Sequence, residues 1–517
     1  MAEVLLPFVS AHPDRPALID EFGVTTWAEL NERANRLVHA VRALGVGPGE
    51  VVAAMLPNRR EYLELFVAAA HGGFQVVPVN WHWVADELAY VLNDSGAKAL
   101  FVDERFAGTA TVALATATGV TARVAVGGAI EGFTSWADFL ATGSPDEPDG
   151  QAAGGPMFYT SGTTGRPKGV RSAFAQPNLS PSIFQLIAAG FSIGMGLPSD
   201  AVSYLNGPVY HSAQWAFNVL PLLGGSAVVM RDKFDAAEAL RLIDAHGVTN
   251  THLVPTQFIR LLKLPDDVRA GFDGSSLQIV WHGAAPCPPE VKRQMIAWWG
   301  PKITEYYGGT EGGVVSMASS EQWLAKPGTV GPVLPTAEIM IIDDEGRACG
   351  PGESGTIYIR NRSGQDFEYH NDPAKTAAAH REPGVFTLGD VGFLDADGWL
   401  FLSDRKIDMI ISGGVNIYPA EIEGVLVTHP AVRDAAVFGV PNDEFGEEVK
   451  AAVELADGYD ASPELLADIT AHVRSKLAGY KVPRSIDVEV ELPRHPTGKL
   501  YKRLLRDRYW ADAGRAI

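Results

Sequence analysis

Cysteine is nearly absent: Cys287 and Cys349 are the two in 517 residues, and they stand at no metal-type spacing. That excludes a disulfide framework and fits a reducing compartment. Positive charge is also scarce, with 42 Lys and Arg against 62 Asp and Glu for a net charge of −20. Such a balance argues against a nucleic-acid partner and against electrostatic docking on anionic lipid. No apolar run reaches the ~20 residues of a transmembrane helix. The uncharged stretch 172–199 comes nearest, but Gln185, Gly190, Ser192, Gly194 and Gly196 interrupt it, and it is expected to form buried helix and loop bordering a substrate pocket. The opening MAEVLLPFVSAHPDR has no basic n-region and does not read as a signal peptide, so a cytoplasmic protein is expected. Internal repeats and low-complexity tracts are missing too.

What the chain does have is enough apolar sequence, 46% of residues against 20% charged, to build more than one core. Thr26 and Glu29 have capping-box spacing, and Leu30, Ala34, Leu37, Val41 and Leu44 follow at helical intervals up to Gly45. Residues 51–56 and 76–79 read as buried strands, so the first 150 residues suggest a parallel sheet covered by helices. A second α/β unit is expected over 156–333. Strands at 338–343 and 356–360 then flank the turn Asp344-Glu345-Gly346. Asp395, Asp397 and Gly398 begin like a calcium loop, but the spacing fails beyond them, and a hairpin turn is expected. The segment after Ser403 is rich in Glu and Lys and carries helices at 419–427 and 463–477, which predicts domains at 1–403 and 404–517.

One stretch narrows the chemistry. Residues 159–170 read YTSGTTGRPKGV, with Gly162, Gly165 and Gly169 among the hydroxyls Thr160, Ser161, Thr163 and Thr164, and with Lys168 beside them. Glycines let backbone N–H groups approach an anion, and hydroxyls and lysine add donors and charge. It is not the common P-loop, because Pro167 stands at the second glycine position and Gly169 where Ser or Thr would hold magnesium. A second signature, YYGGTEGG at 306–313, sets Thr310 beside Glu311 among glycines, a pairing suited to a phosphate oxygen and its metal.

Both segments resemble signatures of the adenylate-forming superfamily, which includes acyl-CoA synthetases, adenylation domains and luciferases. The likeness extends over essentially the whole chain. It implies an α/β fold: a large N-terminal domain of α/β layers with a small β-barrel-like subdomain, and a small, mobile α+β C-terminal domain. By the resemblance, residues 160–165 and Lys168 grip the β- and γ-phosphates of ATP. Tyr307 stacks on adenine, Thr310 bonds the α-phosphate and Glu311 holds Mg2+. HGAAP at 282–286 is similar to the adenine-contacting turn, with Gly283, Ala284 and Ala285 small enough for the base to lie on backbone. Here His282 replaces a smaller residue and is either a pocket wall or a hydrogen-bonded core histidine. Asp390 and Arg405 match the residues at ribose and phosphate, and Gly414 the small residue lining a pantetheine tunnel.

Lys499, in PRHPTGKLYKR, matches the lysine that serves adenylation, where it neutralises charge between carboxylate and α-phosphate. His211 falls at the aromatic gate of the acyl pocket, and Trp215 at a second gating position or in plain core packing. With Trp281 and His282 they suggest an aromatic-rich pocket. Ile407 stands where the family's hinge residue is often charged. The expected activity is ATP-dependent acyl-CoA ligation through an acyl-adenylate, with Mg2+ and coenzyme A. Medium- or long-chain fatty acids are favoured over aryl acids or steroid side chains. A carrier protein or an amine remains an alternative acceptor, and a non-catalytic nucleotide-binding protein a different class. A monomer or homodimer is expected.

Overall fold

The computed structural model describes residues 4–160, 167–171, 180–198, 200–364, 366–405, 408–412, 415–442, 445–494 and 500–510. Two largely parallel sheets carry the body. In the larger, Pro16–Asp20, Ala227–Met230, Val202–Leu205, Asn250–Leu253, Ile279–His282 and Ile303–Gly309 run parallel, edged by the antiparallel strands Gly23–Thr26 and Gly313–Ala318. In the smaller, Gln75–Pro78, Val51–Met55, Ala99–Asp103, Ala122–Val126 and Thr134–Ser135 are all parallel.

Strands buried on both faces must be apolar at every position, and the alternation is visible here. Val52 and Ala54 face one core, while Val51, Ala53 and Met55 face another. The first core fills the layer between the sheets, where helices Trp27–Ala43, Arg60–Gly72 and Ser212–Leu223 lie. The expected capping box is formed, Glu29 N donating to Thr26 Oγ1 at 3.2 Å and Thr26 N to Glu29 Oε2 at 2.8 Å. Such a cap is worth about 1 kcal/mol.

The N-terminal hairpin departs from the expected layout. Leu18 pairs in parallel with Val228, so Pro16–Thr26 belongs to the sheet formed by the second α/β unit. A short strand's partner is set by long-range contact, which no local pattern records. Helix Pro181–Gly194 forms but is not buried: Pro181, Phe184 and Ala188 are its buried residues, while Leu186 is 72% and Ile193 78% exposed. Among the described residues no helix is long and apolar enough to cross a membrane.

The expected barrel-like subdomain is a six-stranded antiparallel sheet. Ala337–Ile342 and Gly355–Asn361 pair as anticipated, Ile342 opposite Thr356. Asp395–Gly398 is a turn, with Gly398 N donating to Asp395 O at 3.0 Å and Lys326 Nζ donating to Asp397 at 2.6 Å. Strand Trp399–Arg405 stays in this sheet to its end, Arg405 facing Asp390. The body's pairing therefore runs two residues past Ser403.

Residues beyond 408 build a smaller α+β unit. Val432–Asn442 and Gly446–Leu455 form its central hairpin, and helices Pro419–Leu426 and Pro463–Lys476 bring Ile422, Leu426, Ile469 and Val473 to its core. It touches the body where Lys263 Nζ donates to the Val432 carbonyl at 2.9 Å.

Candidate active site

The second signature occupies the end of strand Ile303–Gly309 and the turn after it. Adding a Cβ to Gly308 would bring it 2.0 Å from the Gly313 carbonyl, so this hairpin closes only around glycine. Successive side chains on the strand point to opposite faces. Tyr307 projects to one side, where its hydroxyl donates to Asp390 Oδ2 at 2.9 Å. Asp390 reaches it from strand Val385–Leu394 of the antiparallel sheet. Thr310 Oγ1 lies 2.7 Å from Ser212 Oγ, the first residue of helix Ser212–Leu223. That end of a helix presents unpaired N–H groups and partial positive charge, which favours an anion.

Glu311 Oε1 accepts from the Tyr369 hydroxyl at 3.1 Å, and Lys168 Nζ sits 4.9 Å over the Tyr369 ring. Lys168 is on strand Lys168–Arg171, antiparallel to Phe158–Thr160 with Thr160 opposite Lys168. Between these two strands, Ser161, Gly162, Thr163, Thr164 and Gly165 lie outside the described residues. Burial lowers the Lys168 pKa and Lys375 adds to this, while Glu311 and Asp372 oppose it. Lys375 pairs with Asp372 at 2.8 Å. Two ammonium groups therefore stand close to one another with carboxylates beside them, an arrangement that a polyanion would complete.

The 282–286 turn is strained where a base would lie. Ala284 has φ 66°, one of two non-glycine residues with positive φ among the described residues. Left-handed backbone costs a Cβ-bearing residue about 1–2 kcal/mol, and such positions cluster at binding sites. A Cβ on Gly283 would stand 2.8 Å from the Tyr306 ring, so that glycine is required by close approach.

Beside this turn a small cavity is lined by Gly207, Pro208, His211, Ala213, Gln214, His252, Val254, Gln257 and Ala284. Of the four expected pocket residues, the structure brings His211 there. Trp215 is turned into the inter-sheet core against Phe66 and Phe158. His211 is the N-cap of its helix, with φ −92° and ψ 135°, so although its carbonyl accepts from Trp215 N at 2.9 Å, its side chain leaves from extended backbone and not along the helical face that carries Trp215. Trp281 is fully buried in a cluster with Phe217 and Tyr306. His282 points to the opposite face, edge-on to Phe258 and 3.7 Å from Glu305, which is itself paired with Lys292 at 2.6 Å. It is neither a wall of the cavity nor hydrogen-bonded among the described residues. Burial, with Lys292 and His252 nearby, holds its pKa well below the usual value, so His282 stays neutral.

Gln214, His252, Tyr306, Tyr369 and Lys375 were not expected at the site. A signal existed for His252, since Asn250-Thr251-His252 puts three polar residues into a wholly buried strand. Tyr369 and Lys375 belong to no motif. Lys499 and Gly414 lie outside the described residues, and Arg405 is placed by its backbone alone. Arg494 and Leu500 bound the stretch 495–499 that lies outside the described residues. They form an antiparallel bridge, and Tyr501 lies near Tyr210 and Glu87 of the body: burial chiefly raises the Tyr210 and Tyr501 pKa values, with Tyr501 adding to the first and Glu87 to the second.

A parallel-sheet body that gathers a nucleotide-sized set of donors beside a separate C-terminal unit defines an ATP-handling enzyme of two parts. Comparison makes this specific: residues 7–364 match the AMP-binding enzyme family and 421–499 the AMP-binding enzyme C-terminal domain. The chain is 32% identical to a fatty acid–[acyl-carrier-protein] ligase of Streptomyces coeruleorubidus, covering 98% of this chain and 95% of that one. It is 34% identical to a feruloyl-CoA synthase of Amycolatopsis sp, covering 94% of each. Among solved structures it resembles o-succinylbenzoate CoA synthetase from Bacillus subtilis (27% identity, TM-score 0.80, 98% of each chain). An anthranilate CoA ligase shares the fold at TM-score 0.87 over 99% of this chain and 98% of that one, with 24% identity. The chain belongs to the adenylate-forming superfamily of AMP-binding enzymes, and it is an AMP-forming acid–thiol ligase.

Proposed function

We propose that this ligase joins a compact organic acid, aryl or short acyl, to coenzyme A through an acyl-adenylate. The observation that carries the reading is the convergence of Tyr307–Asp390, Thr310–Ser212 and Glu311–Tyr369–Lys168 around one strand end. Tyr307 and the backbone of Gly283, Ala284 and Ala285 hold adenine, and Asp390 with Arg405 the ribose. Residues 160–165 and Lys168 hold the β- and γ-phosphates, and Thr310 the α-phosphate. Among the described residues no three His, Cys, Asp or Glu cluster for a metal, but Mg2+ needs one or two carboxylates plus phosphate oxygens and water. Glu311 fits that requirement, and Mg2+ there would neutralise triphosphate charge.

In the first half-reaction a carboxylate oxygen bonds to the α-phosphorus and the bond to the bridging oxygen breaks, releasing pyrophosphate. Thr310 at a helix N-terminus and Lys499 offset the charge that builds there, so the protein acts by position and electrostatics. The boundary of the moving part falls after Arg405, where the body's strand pairing ends, with Ile407 outside the described residues. Rotation about it withdraws Lys499 and brings Gly414 to the pantetheine path. The thiol then attacks the acyl carbonyl and AMP leaves. His211 stands between cavity and thiol path.

The compact acid is favoured by the aromatic cluster of Phe217, Trp281 and Tyr306, which packs against Ala213 of the cavity lining with Phe217 and Trp281 centroids 4.8 Å apart and so fills space that a long fatty chain would need. The test is pyrophosphate release over a panel of aryl, short and long-chain acids, with and without CoA. Aryl or short acids are expected to give the highest kcat/KM. Exclusive use of chains of about twelve carbons or more overturns the acid class.

A further inference from the structure

The buried polar groups behind the cavity form a chain whose proton directions can be assigned from two backbone carbonyls. Asn218 Nδ2 lies 2.9 Å from the Gln214 carbonyl, which fixes that atom as the amide nitrogen. The same nitrogen is 3.3 Å from Gln214 Oε1, so Gln214 turns its own Nε2 toward His252, where it lies 3.3 Å from the backbone carbonyl and 3.1 Å from Nδ1. A side-chain amide nitrogen can only donate. His252 Nδ1 is therefore the acceptor, and complete burial keeps the imidazole neutral by lowering its pKa to about 3. The remaining proton sits on Nε2 and donates to the Tyr306 hydroxyl at 2.9 Å.

Tyr306 Oη thus accepts, and its own O–H must donate elsewhere. Tyr306 is 8% exposed, and among the described residues its hydroxyl has no second partner. The ring lies against Gly283 and belongs to the cluster against which Ala213 packs, while His252, Ala213 and Ala284 line the cavity. A buried donor without an acceptor is costly unless a ligand supplies one.

We propose that Tyr306, oriented by the Asn218–Gln214–His252 relay, is a specificity-determining donor that reads an acceptor oxygen at the end of the acid remote from its carboxylate. An ether, ketone or hydroxyl oxygen qualifies. A group that can only donate does not. The inference rests on the ligase reading above and names the substrate chemistry of the same site.

The test uses the full-length protein and pairs of aryl acids that differ in one oxygen, such as methoxy- against ethyl-benzoates, assayed by pyrophosphate release. The wild type is expected to prefer the oxygen-bearing member by about three- to tenfold in kcat/KM, the range of one neutral hydrogen bond. In Tyr306→Phe that ratio falls to about one, a readout that general loosening of the fold does not move. Gln214→Met gives the second arm. Without a donor at Nδ1 the imidazole can shift its proton inward and take the Tyr306 proton itself, so the ratio again falls. A wild type with no preference, or a ratio unchanged in both variants, overturns the inference. Failure of the ligase reading is distinct: the wild type then releases no pyrophosphate with any acid, and the inference falls with it.

Discussion

Replacing Tyr307 by phenylalanine keeps the ring expected to stack on adenine and removes one hydroxyl. That hydroxyl donates to Asp390 Oδ2 at 2.9 Å. Hydrogen bonds to charged groups contribute about 1.5–3 kcal/mol, and because Asp390 is half-buried, water replaces part of the loss. A cost near the lower end, about 1.5 kcal/mol, corresponds to roughly a tenfold fall in kcat/KM for ATP. The effect must pass through Asp390, so it has a second signature. If the carboxylate takes the ribose hydroxyls, the wild type prefers ATP to 3′-deoxy-ATP, and Asp390→Ala abolishes that preference. Tyr307→Phe should reduce it without abolishing it, and the double variant should lose less than the sum of the singles. The assay is acid-dependent pyrophosphate release at varied nucleotide, with thermal midpoints to confirm folding. Unchanged nucleotide discrimination in Tyr307→Phe, or strict additivity with Asp390→Ala, would refute the coupling.

Three further outcomes are expected. Lys499→Ala should abolish adenylate formation yet spare thioester formation from supplied acyl-adenylate, and equal loss of both half-reactions would contradict that division of labour. Gly283→Ala places a Cβ 2.8 Å from the Tyr306 ring and 2.9 Å from its carbonyl, so overpacking of about 1–3 kcal/mol should lower the thermal midpoint and weaken ATP use. Acid should destabilise the fold from pH 6.5 downward. His252 and His71 are buried with pKa values lowered to about 3 and about 4, and so the unfolded state binds the extra protons in that window. By pH 5 each is expected to cost about 2 kcal/mol, and His71→Leu should flatten the urea-midpoint slope between pH 5 and 7.5.

The sequence announces its local devices and conceals its long-range ones. The capping box at Thr26, the buried strands Val51–Met55 and Gln75–Pro78 and the turn at Asp395 are each written in neighbouring residues, and each forms. The nucleotide signatures predicted that Tyr307, Asp390, Glu311 and Lys168 share a site; one direct contact joins Tyr307 to Asp390, and one electrostatic influence joins Glu311 to Lys168. Tyr369 was hidden because it reaches Glu311 from a two-residue strand with no motif around it. Trp215 took the second of its two expected places, core packing, while His282 took neither of its own: residue type suggested a pocket, but side-chain direction depends on where a helix begins and on strand parity. The exposed face of helix Pro181–Gly194 escaped notice because a segment without charge carries no polar pattern to mark its solvent side.

The central claim is that the body and the C-terminal unit together activate a carboxylate at the α-phosphate of ATP. Acid-dependent exchange of labelled pyrophosphate into ATP, measured without CoA, tests it most directly. Exchange that requires an organic acid, and that gives way to AMP and thioester once CoA is added, is the predicted result. Nucleotide binding with no exchange for any acid offered would contradict it.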